Sequence, residues 1–157
     1  RVLNKLNPAR FDALAPGAFA GFTAAQIKRL KKTLLDDFSP EQFGELSPDA
    51  ISGLKPNASR KLPSEVFEEL DADQMGGFNP RTLRKLNKDQ VEEIPAEAFD
   101  GMTTQQASMM NRVLASNFDR EQIQSIPVGC LDKMPDPVFR LLESNLSSSQ
   151  LNGLENL

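Results

Sequence analysis

An apolar side chain occupies every eighth position from Leu6 to Leu142, eighteen times without an insertion. The phrases SPEQFGEL (39–46), SPDAISGL (47–54) and KPNASRKL (55–62) show the unit, an octad whose last residue belongs to that column. The fifth octad position is nearly as strict, running from Phe11 and Phe19 through Phe67 to Phe139, and Ser59 is its only polar member. All ten phenylalanines of the chain fall in these two columns. Self-similarity at a fixed period is the mark of a repeat architecture.

One long amphipathic helix cannot carry this pattern. Eight residues make about 2.2 turns, so an apolar stripe would rotate by roughly 80° per octad. Ten of the eleven prolines stand at octad position 1 or 2. A helix starts there without loss, because the missing N–H has no partner anyway, whereas inside a helix each proline would break it. Thr23, Ser39, Asp71, Asn87, Thr103 and Asp119 open octads, and each is followed three residues later by glutamine. That spacing is the capping box, in which the first side chain accepts from a backbone N–H and the glutamine reaches back. The glutamine returns every sixteen residues, with Ala58 as the exception. The octads between prefer proline or alanine at the front and a small or branched fourth residue, as in PSEVFEEL and PAEAFDGM. Two octad types therefore alternate.

Residues 23–38 and 103–118 lack internal proline and glycine, which predicts longer helices there. After Leu142 the frame gains four residues, ESNL, before resuming at SSSQLNGL (147–154). PDPVFRLLESNL is expected to be one longer helix.

An octad cannot bury its own two apolar side chains, so successive units must stack. The fold read from the pattern is an all-α solenoid, a superhelix of short helices with positions 5 and 8 as its core. The capping boxes favour sixteen residues per turn. Arg60-Lys61 with Arg84-Lys85, Glu68-Glu69 with Glu92-Glu93, and Gly53, Gly77 and Gly101 favour twenty-four. Two or three octads per turn both remain open at this point. Residues 1–157 read as a single segment of such an array, cut from a longer one, since the chain opens at Arg1 without a methionine.

Composition narrows the function. A net charge of −4 argues against nucleic acid as a ligand, because phosphates need a basic face. No apolar run approaches the ~20 residues of a membrane span, so no direct membrane insertion is expected. Histidine, tryptophan and tyrosine are absent and Cys130 is the only cysteine. The commonest general base and metal ligand are thus missing, and no catalytic residue, metal, cofactor or small-molecule substrate is expected. Cys130 stands where other octads carry Ala18, Ala50, Val66 and Ala98, which predicts a small buried thiol. DADQMGGF (71–78) resembles the start of an EF-hand loop, but Met75 and Thr82 occupy two ligand positions, and Asp71 reads as a helix cap.

The candidate partner-binding residues are Lys28, Arg29, Lys32, Arg81, Arg84, Lys85 and Lys88, basic clusters suited to an acidic protein partner. The competing expectation pairs them with Asp36-Asp37, Glu68-Glu69 and Glu92-Glu93 in neighbouring octads. Asn57-Ala58-Ser59 and Asn145-Leu146-Ser147 match the N-glycosylation acceptor pattern.

LSPEQFGELSPDAISGL and LNKDQVEEIPAEAFDGM resemble the short helical repeats of the mesothelin and stereocilin superfamily, and the resemblance extends as a pattern from Leu6 to Leu142. It implies a helical superhelix in an extracellular or cell-surface protein linked to adhesion. It transfers no site residue, and the chain departs from the family in lacking tyrosine and tryptophan. The function expected is a non-enzymatic structural or protein-interaction module that presents octad positions 3, 6 and 7 to a partner. The alternatives are a cytoplasmic scaffold and a regulatory domain beside an enzyme.

Overall fold

The computed structural model describes residues 3–157, and every regular element among them is a short α-helix or 3-10 helix. Apart from the stretch near the C-terminus, one octad makes one helix. Positions 2 to 6 are helical and position 8 is extended, so each unit is a helical turn followed by a corner. The six glutamine-bearing octads named above all close a capping box, as does Ser147 with Gln150. In the octads that open without a side-chain cap, Pro16–Gly21, Ser64–Glu69 and Ala96–Gly101 tighten to 3-10 helix.

The prediction of longer helices at 23–38 and 103–118 is overturned. Ala24–Lys28 stops before Lys32–Leu35 begins, and Thr104–Ser108 stops before Arg112–Ala115. Nothing in the local sequence forbids continuation at Lys31, which has no side-chain cap hydrogen bond. Stacking decides instead, since a continuous helix would rotate Leu30 and Met110 out of the shared core. Both are buried in it. The third expectation comes closer: Asp136–Leu142 runs directly into the 3-10 turn Glu143–Asn145.

Helices pack on helices 24 residues away. Ala24–Lys28 lies on Pro48–Ser52, which lies on Ala72–Gly77, then Ala96–Gly101, then Arg120–Gln124. Two further ladders have the same step. One runs through Pro8–Asp12, Lys32–Leu35, Pro56–Ser59, Pro80–Leu83, Thr104–Ser108 and Val128–Leu131. The other contains Pro16–Gly21, Pro40–Gly44, Ser64–Glu69 and Lys88–Glu92 and ends with Arg112–Ala115 on Asp136–Leu142. We call these the glycine, basic and acidic ladders, for reasons that follow. The four-residue ESNL segment fills a whole octad's place, because Glu143–Asn145 packs on Arg120–Gln124 and Ser148–Glu155 on Val128–Leu131.

The two periods left open by the sequence are both real. Twenty-four residues separate stacked octads, and sixteen separate octads of one type. Three octads per step and two types mean that each octad stacks on the other type. Gly53, Gly77 and Gly101 mark the tightest stacking, where an added Cβ would collide with the backbone of Ala24, Pro48 and Ala72 respectively. No glycine there is needed for its dihedral freedom, as no described residue has positive φ.

The core holds the position 5 and 8 columns, as expected, and adds a third at position 4. Seven phenylalanines, from Phe11 to Phe78, form a continuous run of rings with centroids 4.8 to 6.3 Å apart. Ser59, the polar break, is fully buried and donates from its hydroxyl to the Pro56 carbonyl at 2.8 Å. Position 4 explains how the ladders are joined. Gln42, Gln74, Gln90, Gln106, Gln122 and Gln150 are buried. While each Oε1 accepts from its own N-cap, Nε2 donates to backbone carbonyls at octad positions 5 and 8 on an adjacent ladder. Gln90, for example, reaches Ser59 at 3.0 Å and Leu62 at 2.9 Å. Thr82 Oγ1 makes the same link to Leu54 at 2.7 Å, and Cys130 Sγ to Met102 at 3.0 Å. The position 5 carbonyls already accept from the backbone N–H of position 8, so the glutamine is their second donor, whereas the position 8 carbonyls lie past the helix end and depend on it.

Candidate protein interface

Octad positions 3 and 6, and position 7 of octads 55–62 and 79–86 but not of the glycine ladder's stacking glycines, face solvent, so charge written there becomes surface charge. In octads 31–38, 55–62 and 79–86 of the basic ladder, eight cations face two carboxylates, Asp36 and Asp37. Lys28 and Arg29, at the end of the neighbouring octad of the glycine ladder, extend the patch around the corner.

Three shallow depressions adjoin along this corner. The first is lined by Ala25, Lys28, Arg29, Leu30 and Lys55. The next shares Lys28 and Lys55 and adds Arg81 with Asn79, Thr82 and the Ser52–Leu54 backbone segment. The third contains Arg81, Arg84 and Lys85 with Pro56, Asn57 and Asn111. Residues far apart in sequence, Lys28 and Arg81, thus line one surface. A separate depression between Arg112, Asp136, Pro137, Arg140 and Leu141 has mixed charge and lies on the acidic ladder's distal steps.

Five of the seven sequence-predicted partner residues come together here: Lys28, Arg29, Arg81, Arg84 and Lys85. Lys32 is exposed on the basic ladder but lines none of the depressions. Lys88 belongs to the acidic ladder and forms an exposed ion pair with Glu92 at 3.5 Å, one helical turn away. Lys55 was missed. Its signal was the 24-residue step, which places it beside Lys31 and Asn79 at position 1.

The expected pairing of these clusters with acidic doublets in neighbouring octads is corrected; Lys88 pairs with a doublet residue, but within its own octad. Among the described residues the ion pairs are Lys88 with Glu92 and Lys133 with Asp132. Asp37 makes none, and its Oδ2 is buried without a hydrogen-bond partner. The doublets Glu68-Glu69 and Glu92-Glu93 sit on the acidic ladder, and crowd each other there instead. Glu93 is held protonated to higher pH than an ordinary glutamate, first by hydrogen bonding to the Glu68 side chain, then by lost hydration, then by the charges of Glu68, Glu65 and Glu92.

Asn57 is exposed and stands among the cations of the third depression. Asn145 is half-buried in its 3-10 turn, where its carbonyl accepts from Gln124 Nε2 at 3.1 Å. Cys130 is buried, and burial pushes its thiol pKa up. Asp71 caps the helix that follows it, accepting from the Gln74 N–H at 2.8 Å. Among the described residues no helix is long and apolar enough to cross a membrane.

Comparison of the chain with protein-family models, with curated proteins and with solved structures returns no match.

Proposed function

We propose that the chain is a segment of an α-solenoid, three octads per superhelical turn, that works as a non-enzymatic protein-interaction module. The observation that carries this reading is the row of exposed, carboxylate-free cations along the corner between two ladders. Such a surface recognises an acidic protein segment, with affinity and association rate set by charge complementarity. The rigid stacked core holds the charges at fixed spacing, so less side-chain and backbone order is lost on binding. The chain's net negative charge favours a protein over a nucleic acid.

The resemblance to mesothelin and stereocilin repeats, with the exposed sequon at Asn57, supports a place on the cell surface or in the secreted space as part of an adhesion-type protein. A cytoplasmic scaffold is the second reading, in which the two sequons are accidental and the buried Cys130 stays reduced. The two differ at Asn57. A glycan there would cover the Arg81–Lys85 depression, so the glycosylated chain should lose the acidic partner.

The test is titration with a fluorescent oligoglutamate peptide at two salt concentrations. Reversal of Arg81, Arg84 and Lys85 to glutamate should weaken binding by at least about tenfold and flatten its salt dependence. Equal binding by wild type and variant would remove the basic corner as the interface. Intact mass after eukaryotic secretion, with and without glycosidase, then places Asn57.

A further inference from the structure

The acidic ladder mirrors the basic one. Over the octads 39–46, 63–70 and 87–94, eight carboxylates face one cation, Lys88. All eight, from Glu41 to Glu93, are exposed. They occupy the same three octad steps as the eight exposed cations of octads 31–38, 55–62 and 79–86. Both ladders advance by one octad per 24 residues, so charged steps recur at the same sequence interval on each. One molecule therefore carries two matched surfaces of opposite sign, and neither is neutralised internally beyond the Lys88–Glu92 pair. Crowding among Glu65, Glu68, Glu92 and Glu93 leaves the acidic surface with unrelieved repulsion. The glycine ladder is less available over these steps. Its Asp49 accepts from the Ala24 N–H at 3.2 Å, and Asp71 is engaged as a cap.

We propose that the acidic ladder of one copy docks on the basic ladder of a second copy. This rests on the reading of the basic corner as a protein interface and names its occupant. The contact is heterologous, using a different patch on each copy, so each dimer keeps one free surface of each sign and adds further copies. The shared step interval lets several charged steps meet at once, which isolated surface pairs do not achieve. Assembly is consequently steep in salt, since exposed charges are screened within about 10 Å at 0.1 M.

Sedimentation velocity over a concentration series at low and high salt tests this. Wild type should form a growing series at low salt and monomers at high salt. A basic-face variant (Arg81→Gln, Arg84→Gln, Lys85→Gln) and an acidic-face variant (Glu65→Gln, Glu68→Gln, Glu93→Gln), which remove charge without reversing it, should each be monomeric alone. Mixed, they should stop at a one-to-one dimer, because only one productive pair of faces remains. Reversal of Asp73, Glu97 and Asp100 on the glycine ladder should leave the series intact. A wild type that stays monomeric at low salt overturns the proposal, as does loss of assembly only in the glycine-ladder variant. If that monomer still binds oligoglutamate, the interface reading stands and its occupant is another protein; if it binds neither, both readings fall. Circular dichroism checks that each variant is folded, and the wild-type salt series decides the matter if one is not.

Discussion

The glutamine octads and the octads between them have the same length and bury the same columns, yet solve the helix-end problem differently. A glutamine octad such as 87–94 starts with a capped α-helix, and its glutamine then serves twice. Gln90 Oε1 accepts from the Asn87 N–H at 3.0 Å while Nε2 supplies Ser59 and Leu62. An octad such as 63–70 starts on an uncapped proline, tightens to 3-10 helix and has the apolar Val66 at position 4. Alternation means that each octad with a capping box lies between two without one, although Ser47, Asn79 and Asn111 still cap their own helices singly. The array therefore draws its long-range polar links chiefly from one type and fills space with the other. Thr82 and Cys130 show the second type acquiring a weaker version of the same link.

The largest effect expected from breaking this contrast is at Gln90. Gln90→Leu keeps volume in the core but leaves the Leu62 carbonyl without a donor, the Ser59 carbonyl with only its bond from the Leu62 N–H, and Asn87 without its cap partner. The expected loss is about 2 kcal/mol or more, given 1–3 kcal/mol for each buried unsatisfied group. Gln26 is the internal control, because it closes the same capping box but is exposed and donates to no carbonyl among the described residues. Gln26→Leu should cost about 1 kcal/mol, the worth of a cap alone. Urea midpoints at unchanged m-value measure both. Equal losses would mean that the links between ladders contribute nothing.

Thr82→Val probes the intermediate case. The substitution conserves shape, removes the 2.7 Å bond to Leu54 and leaves that carbonyl buried. A loss of about 1–2 kcal/mol is expected, with Thr82→Ser retaining most of the hydrogen-bond contribution. A neutral valine would show that the Leu54 carbonyl is solvated, and that octads lacking glutamine need no link.

The columns were legible because burial acts on every octad alike, and eighteen repetitions of an apolar residue at one spacing leave few alternatives. The caps were legible too, since Thr23 with Gln26 is a local pattern. What escaped was whatever depends on stacking. Position 4 was not recognised as a core column because glutamine, threonine, cysteine and valine share no hydropathy there. Their common feature is proximity to a carbonyl 28 residues earlier, or to apolar neighbours. The break at Lys31 was missed for the same reason, local propensity being overridden by the ladder, whereas the break at Asn111 had a local signal, an asparagine that caps the next helix by accepting from the Leu114 N–H. The basic corner was half visible. Arg81, Arg84 and Lys85 are close in sequence, but their union with Lys28 and Lys55 needs the 24-residue step. The expected ion pairs failed through the same step, which puts consecutive octads on different ladders and so parts Arg60-Lys61 from Glu68-Glu69.

The smallest effect concerns a contact between the two octad types on the acidic ladder, where Glu93 of a glutamine octad meets Glu68 of an uncapped one. In the folded chain Glu93 holds its proton to a pH above the reference 4.5. In the unfolded chain it does not. Just above that value the folded state binds more protons, so stability falls as pH rises through the window and stays lowered at neutral pH. Glu93→Gln removes the charge that Glu65, Glu68 and Glu92 oppose. The variant should therefore melt slightly higher than wild type at pH 7, in dilute protein where copies are separate. The advantage should shrink as the pH falls below that reference value, where Glu93 takes up its proton in both states. A variant that melts lower at pH 7 would mean that the Glu68–Glu93 contact joins the two octads as a net attraction. The acidic ladder would then be relieved from within, and its need for a cationic partner correspondingly less.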